Sequence, residues 1–247
     1  MNLPLSDRLL ACAGFVCPGD RVADIGCDHG YLGIYLLTKG IARSMIEADI
    51  NEGPLDSARR NAIKYGVTDK VTFHLSDGVQ NIPRDFDTLV CAGMGADTMI
   101  HILGSAPWLK NDKYRLILQC QSKTPMLRRY LSENGWRIQA ETVLQDGKFL
   151  YTVMEVVYGG GIPLTPGGCH FSPALLKHPD PDLPAFYRWV VGGLRMIVEN
   201  QGENAHPFKR QALEELTNLP EEKILWTDTK RWLGLPWTFT KYRVDED

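Results

Sequence analysis

Short apolar runs and amphipathic stretches alternate along the first 158 residues of the chain. Apolar residues at helical spacing predict a helix over 5–15, with Ser6 and Asp7 near its start. The run "RVADIG" (21–26) is short, apolar and bounded by turn residues, which predicts a strand. "GYLGIYLLTKG" (30–40) predicts a helix closed by Gly40, and "RSMIEADI" (43–50) a second strand. "PLDSARRNAIKYG" (54–66) reads as a helix with Pro54 in its first turn and Gly66 past its end, the asymmetry that helix termini favour. Further strands are expected at 69–75, 87–93 and 114–120, with helices at 97–104 and 124–134. Two long strands, 136–145 and 148–158, read as a hairpin turning around Asp146-Gly147.

Repeated strand–helix alternation points to a doubly wound, mostly parallel sheet with helices on both faces. The closing hairpin gives that sheet an antiparallel end, as in class I methyltransferases. The expected fold class is therefore α/β, a Rossmann-like doubly wound sheet of that kind with an antiparallel final strand, plus a small helical C-terminal region. Residues 1–158 form the expected ligand-binding domain. The stretch 158–184 holds five glycines and six prolines, so 159–181 is expected to be a linker. Residues 182–247 are expected to be helical, with helices over 182–200 and 207–218 and a further pair within 221–235.

Of the 247 residues, 44% are hydrophobic and 23% charged, enough for a core without crosslinks. Cys12, Cys17, Cys27, Cys91, Cys120 and Cys169 form no C-x-x-C pair and no cluster with zinc-ligand spacing, so no metal is expected and a reduced, cytoplasmic compartment is. No apolar run is long enough to span a bilayer, and the first residues lack a signal-peptide pattern; no membrane association is expected. No obligate protein partner is expected either. The net charge of −3 means that an RNA substrate would need a local basic patch. Arg128, Arg129, Lys230 and Arg231 are the candidates. Lys209, Arg210, Lys223, Lys241 and Arg243 add charge, and the interleaved Trp226, Trp232 and Trp237 are expected to bury against neighbouring helices.

In an open parallel sheet, ligands bind beyond the carboxyl ends of the strands. The segments 24–32, 49–53, 77–79 and 92–96 fall there. Gly26 and Gly30 allow the backbone to bend close to a ligand. Asp49 follows Gly26 by 23 residues, the offset of a carboxylate that accepts hydrogen bonds from ribose hydroxyls. Asp77 can accept from an adenine amino group, with Gly78 and Val79 lining the ring. The spacing G-x-x-x-G-x-x-G departs from the dinucleotide form, and Asp28 would repel a pyrophosphate. S-adenosylmethionine instead carries an ammonium and a sulfonium, which acidic residues suit. Two simpler readings stay open: Asp28 as N-cap of the following helix, and Cys27 as a small filler beside the turn. His29 is either a packing residue or a cofactor contact; His74 and His101 read as structural. Arg59 and Arg60 read as a solvated helix face. Three functions remain open on these residues: an RNA methyltransferase, a small-molecule methyltransferase, and a cofactor-binding, RNA-interacting protein without turnover.

The motifs "LSDRL", "VADIGCDHGYL", "GPLDSARRN", "SDGV" and "LVCAGMGADTMIHIL", in this order over about the first 120 residues, resemble the bacterial tRNA (adenine(22)-N1)-methyltransferase family, TrmK. The resemblance implies methyl transfer from S-adenosylmethionine to N1 of adenine 22 in tRNA. It implies Arg8, Asp24, Gly26, Cys27, Asp28, His29, Gly30, Asp49, Ile50, Asp77, Gly78, Val79, Ala92 and Gly93 as cofactor residues. It also implies Asp28, Gly93, Met94 and Gly95 as residues of the reaction centre. The chain departs from the family pattern at Ala96, where a glycine is usual, and at "LQCQ" (118–121), which replaces a Gln-Pro-Asn.

Overall fold

The computed structural model describes residues 3–177 and 180–224. Seven strands form one sheet: β1 (Arg21–Ile25), β2 (Ser44–Asp49), β3 (Val71–Leu75), β4 (Thr88–Gly95), β5 (Arg115–Ser122), β6 (Trp136–Asp146) and β7 (Phe149–Tyr158). Their order is β3-β2-β1-β4-β5-β7-β6. β1 to β5 are parallel, and β7 lies antiparallel to both β5 and β6. The expected doubly wound sheet with an antiparallel end is therefore present. Because β1 pairs with β2 on one side and β4 on the other, its carboxyl end is the topological switch point, where such sheets open a crevice.

Helices α1 (Asp7–Phe15), α2 (Tyr31–Thr38), α3 (Glu52–Lys64), α4 (Ala96–Gly104) and α5 (Thr124–Glu133) connect and cover the strands. Alternate strand residues feed two separate cores. Val22, Met45, Val90 and Ile117 pack with Leu32 and Leu36 of α2 and Cys12 of α1. Ala23, Ile46, Leu89 and Leu116 pack with Met99 of α4 and Leu127 of α5 on the other face. Helix α3 begins at Glu52, two residues before Pro54, which sits in its first turn where its missing N–H costs no bond.

The described part of residues 159–181, expected to be a linker, is packed chain. Helix α6 (Pro166–His170) is capped by the Thr165 hydroxyl, which accepts from the Gly168 amide. Cys169, Phe171 and Leu175 are buried. The glycines here serve close approach. A Cβ on Gly161 would lie 2.3 Å from the Trp136 carbonyl oxygen, and one on Gly167 would lie 2.6 Å from Glu215 Oε2. Helices α7 (Leu183–Gln201) and α8 (Pro207–Thr217) complete this part, and a third core joins Phe186, Val190 and Leu194 to Phe171 and to Val143 of β6. Helix α9 (Glu221–Ile224) ends the described chain. The rest of the helix pair expected within 221–235, with Lys230, Arg231, Lys241, Arg243 and the three tryptophans, lies outside the described residues.

Candidate active site

The turn after β1 is bent by left-handed residues. Gly26 has φ 75° and Gly30 φ 69°. The amides of Gly26 and Cys27 both donate to the Ala48 carbonyl, at 2.8 and 3.0 Å, which pins the turn to β2. Gly30 is the residue preceding α2, and no side chain caps this helix. Capping by Asp28 is thus not what the molecule does. Asp28 is itself left-handed at φ 51°, with its side chain exposed. Asp and Asn tolerate that conformation better than most residues, and non-glycine cases gather at functional sites. Its amide approaches Asp49 Oδ2 at 3.4 Å, and the His29 ring lies 3.6 Å from its carboxylate. His29 is also exposed, and its carbonyl accepts from Asn61 of α3 at 2.9 Å.

Three carboxyls stand at the ends of β1 and β2. Asp24 and Glu47 are register partners, 4% and 2% exposed, and Asp49 is 8% exposed. Burial, reinforced by the Asp49 charge, pushes the Asp24 carboxyl up to about 7. Burial and then Asp24 push the Glu47 carboxyl well above the usual carboxylate range. Cys27 is buried and donates to Glu47; burial and the surrounding carboxyls push its thiol up, which removes it as a nucleophile. Sequence reasoning missed Glu47. Its signal was an acid inside the otherwise apolar "SMIEAD" of β2.

The side of the crevice beyond Asp49 is apolar and open. Ile50, directly after Asp49, is 61% exposed, an unusual position for isoleucine. Val79 is buried, and Gly78 has φ 56° with Ile102 closing the space behind it. Asp77 is half exposed, 4.0 Å from His101 of α4. His101, read as structural, therefore stands at the rim.

Ala92–Gly95, which runs past the strand expected over 87–93, is the bulged end of β4. Met94 pairs with Cys120 and Gly95 with Ser122, with register shifts on either side of Met94. Gly93 has φ 79°, and its amide donates to Gln119 Oε1 at 3.0 Å. Gln119 is buried, so the unusual "LQCQ" stretch supplies the side chain that fixes this bulge. Met94 reaches across to the first turn: a Cβ on Gly26 would lie 2.3 Å from its Cε. Ala96 begins α4 with its methyl in the core, so glycine is not needed there.

These elements bring together Asp24, Gly26, Cys27, Asp28, His29, Gly30, Asp49, Ile50, Asp77, Gly78, Val79, Ala92, Gly93, Met94 and Gly95 at the carboxyl edge of β1, β2, β3 and β4. Arg8 is held elsewhere. Its guanidinium pairs with Asp146 at 2.5 Å and lies over the Tyr151 ring, tying α1 to the β6–β7 hairpin. Arg128 is no RNA contact: it is 1% exposed, pairs with Glu141 at 2.6 Å, and donates to the Cys169 and His170 carbonyls. Only Arg129 of that pair faces solvent, where it bonds Glu133 and lies over Phe208. Among the described residues no group of His, Cys, Asp and Glu has metal-binding geometry, and no helix is long and apolar enough to cross a membrane.

The donor set fits a nucleoside with a cationic tail. Buried carboxyls and an exposed one line the bent turn, no Lys or Arg side chain bonds to it among the described residues, and an exposed apolar side chain lies beside Asp49. A pyrophosphate would meet only like charge.

The family profile for the methyltransferase domain matches residues 5–154. The tRNA (adenine(22)-N(1))-methyltransferase of Bacillus subtilis is 31% identical over 159 residues, 64% of this chain and 67% of that protein. This chain spans 61–67% of the length of the first curated relatives it matches. The crystal structure of the B. subtilis M1A22 tRNA methyltransferase TrmK superposes with a TM-score of 0.71 at 28% identity, over 90% of this chain and 98% of that one. A Streptococcus pneumoniae structure in complex with S-adenosyl-L-methionine gives a TM-score of 0.76 at 29% identity, over 86% and 99%.

Proposed function

This chain belongs to the methyltransferase domain family and to its tRNA (adenine(22)-N1)-methyltransferase branch, and we propose that it transfers a methyl group from S-adenosylmethionine to N1 of adenine 22 in tRNA. One observation carries the reading. An acidic, glycine-bent turn at the switch point is met by a bulge of small residues and Met94, with no acceptor side chain in it.

The cofactor supplies an electrophilic methyl on a positively charged sulfur. Asp49 would accept from the ribose hydroxyls, Ile50 and Val79 would line the adenine, and Asp77 would accept from its amino group. Asp24 would meet the cationic methionine end. Adenine N1 carries a lone pair and needs no base at neutral pH. The protein's main contribution is alignment. N1 is hidden in a base pair, so the target must be unpaired or flipped. The Gly93–Gly95 backbone and Met94 receive the base edge, and Gln119 holds that backbone still. Methylation leaves the base cationic, and the Asp28 carboxylate favours that charge. Arg129, on the exposed face of α5, is the candidate phosphate contact among the described basics. A cytoplasmic location follows from a tRNA substrate.

The test is nucleoside mass spectrometry of unmodified bulk tRNA incubated with protein and S-adenosylmethionine. The expected product is 1-methyladenosine. Cofactor binding with no methylated nucleoside, or a methyl group on another base, would overturn the reading.

A further inference from the structure

Asp24 and Glu47 stand side by side on β1 and β2, almost wholly buried, directly beneath the Gly26 turn. No salt bridge reaches either one among the described residues; Arg8 on α1, a nearby cation, is engaged by Asp146. Glu47 Oε2 is buried without a hydrogen-bond partner. Its other oxygen lies under α2, where a Cβ on Gly33 would come within 1.8 Å of it. Gly33 is therefore the notch that admits this carboxyl. The Cys27 thiol of the cofactor turn donates to Glu47, so its side chain supports the turn directly. The other groups facing the pair are Asp49 from β2 and the thiols of Cys12 on α1 and Cys91 on β4. All of these are acidic or neutral.

An ionised carboxylate with an unpartnered buried oxygen is strongly disfavoured, and two adjacent ones more so. We propose that Glu47 stands protonated as a neutral post beneath the cofactor turn, and that Asp24 beside it releases a proton when the cationic methionine end of the cofactor binds. The inference rests on the cofactor reading above. The step balances: the Asp24 O–H bond breaks, the proton passes to solvent, and the carboxylate left behind is neutralised by the arriving positive charge. The site thus accepts the cofactor without holding a bare buried charge at Asp24 while empty. Glu47 is a positioning residue, since it acts through Cys27 and Asp24.

The sign follows from linkage. A carboxyl held near 7 in the free protein and lowered by a bound cation makes affinity rise with pH up to about 7, above which deprotonation of the cofactor's own ammonium works against binding. The experiment is titration calorimetry of the whole chain with S-adenosylmethionine in buffers of different ionisation enthalpy. Net proton release per cofactor should be largest below about pH 7 and fall as pH rises through it. Glu47→Gln, a neutral isostere, should keep both the affinity and the proton release. Asp24→Asn should abolish the release and weaken binding, since the carboxylate that meets the cationic end is gone. Heats that do not depend on the buffer would overturn the proposal. So would proton release that persists in Asp24→Asn, or a folded Glu47→Gln protein whose affinity falls tenfold or more. If S-adenosylmethionine binds at no pH, it is the cofactor reading that fails.

Discussion

Asp28 shows how one residue's backbone and charge can be separated. It holds φ 51° and caps nothing, so substitutions must respect the left-handed turn before they test the carboxylate. Alanine is a poor probe, because it lacks the short polar side chain whose local hydrogen bonding lets Asp and Asn settle in that conformation. Asparagine tolerates the conformation and lacks the charge. If Asp28 favours the positive charge developing on the base, Asp28→Asn should lower kcat on the order of a hundredfold with a smaller change in cofactor affinity. Asp28→Gly should be at least as slow. Single-turnover rates check this: an Asn or Gly variant at wild-type rate would reduce Asp28 to a turn residue. The sequence made Asp28 visible because an acid in a glycine-rich turn is conspicuous. It could not show the capping reading to be wrong, since that depends on which residue's φ and ψ precede α2. Glu47 was marked only as an acid within β2; its burial and the notch at Gly33 that give it a place beneath the turn have no local sequence mark.

At the scale of elements, strands and helices were legible wherever period and length agreed, from α1 to the β6–β7 hairpin. Two segments were not. Met94 and Gly95 fall past the strand expected over 87–93, yet they stay paired with β5 because a bulge absorbs the extra residue. The Gly/Pro-rich segment read as a linker, yet its glycines mark contacts with Trp136 and Glu215. Both errors treat glycine as freedom when it also means proximity. Arg128 is the third case. It sits beside Arg129 on α5, but helix geometry points the two side chains in different directions, one inward to Glu141 and one outward. Removing one partner of a buried ion pair costs about 3–5 kcal/mol. Arg128→Ala should therefore be strongly destabilised in denaturant unfolding, while the folded fraction keeps the wild-type salt dependence of tRNA binding. A slope reduced by about one would show a phosphate contact and contradict the buried position.

For the molecule as a whole, the net charge of −3 is compatible with the proposed RNA substrate only if basic residues act locally. The pH dependence of stability is likewise a sum of opposed groups. The Asp24 carboxyl, raised to about 7, stabilises the fold below its unfolded value, and that contribution is lost as pH rises through 7. The His170 imidazole, lowered to about 4 by burial and by Arg128 and Lys209, acts with the other sign: its contribution is full above its unfolded value and is lost as pH falls. Comparison with Asp24→Asn isolates the first term. In thermal unfolding without cofactor, the variant should gain on the wild type between pH 5 and pH 8. A constant difference across that range would mean that Asp24 is ionised throughout.

The central claim concerns one nitrogen on one base. The direct measurement is mass spectrometry of nuclease fragments from a tRNA transcript incubated with the chain and S-adenosylmethionine, set beside a transcript carrying guanine at position 22. The account predicts a single added methyl group on the fragment containing adenine 22, resolved as 1-methyladenosine, and none on the guanine transcript. A methyl group found elsewhere, or one that persists when adenine 22 is replaced, would contradict it.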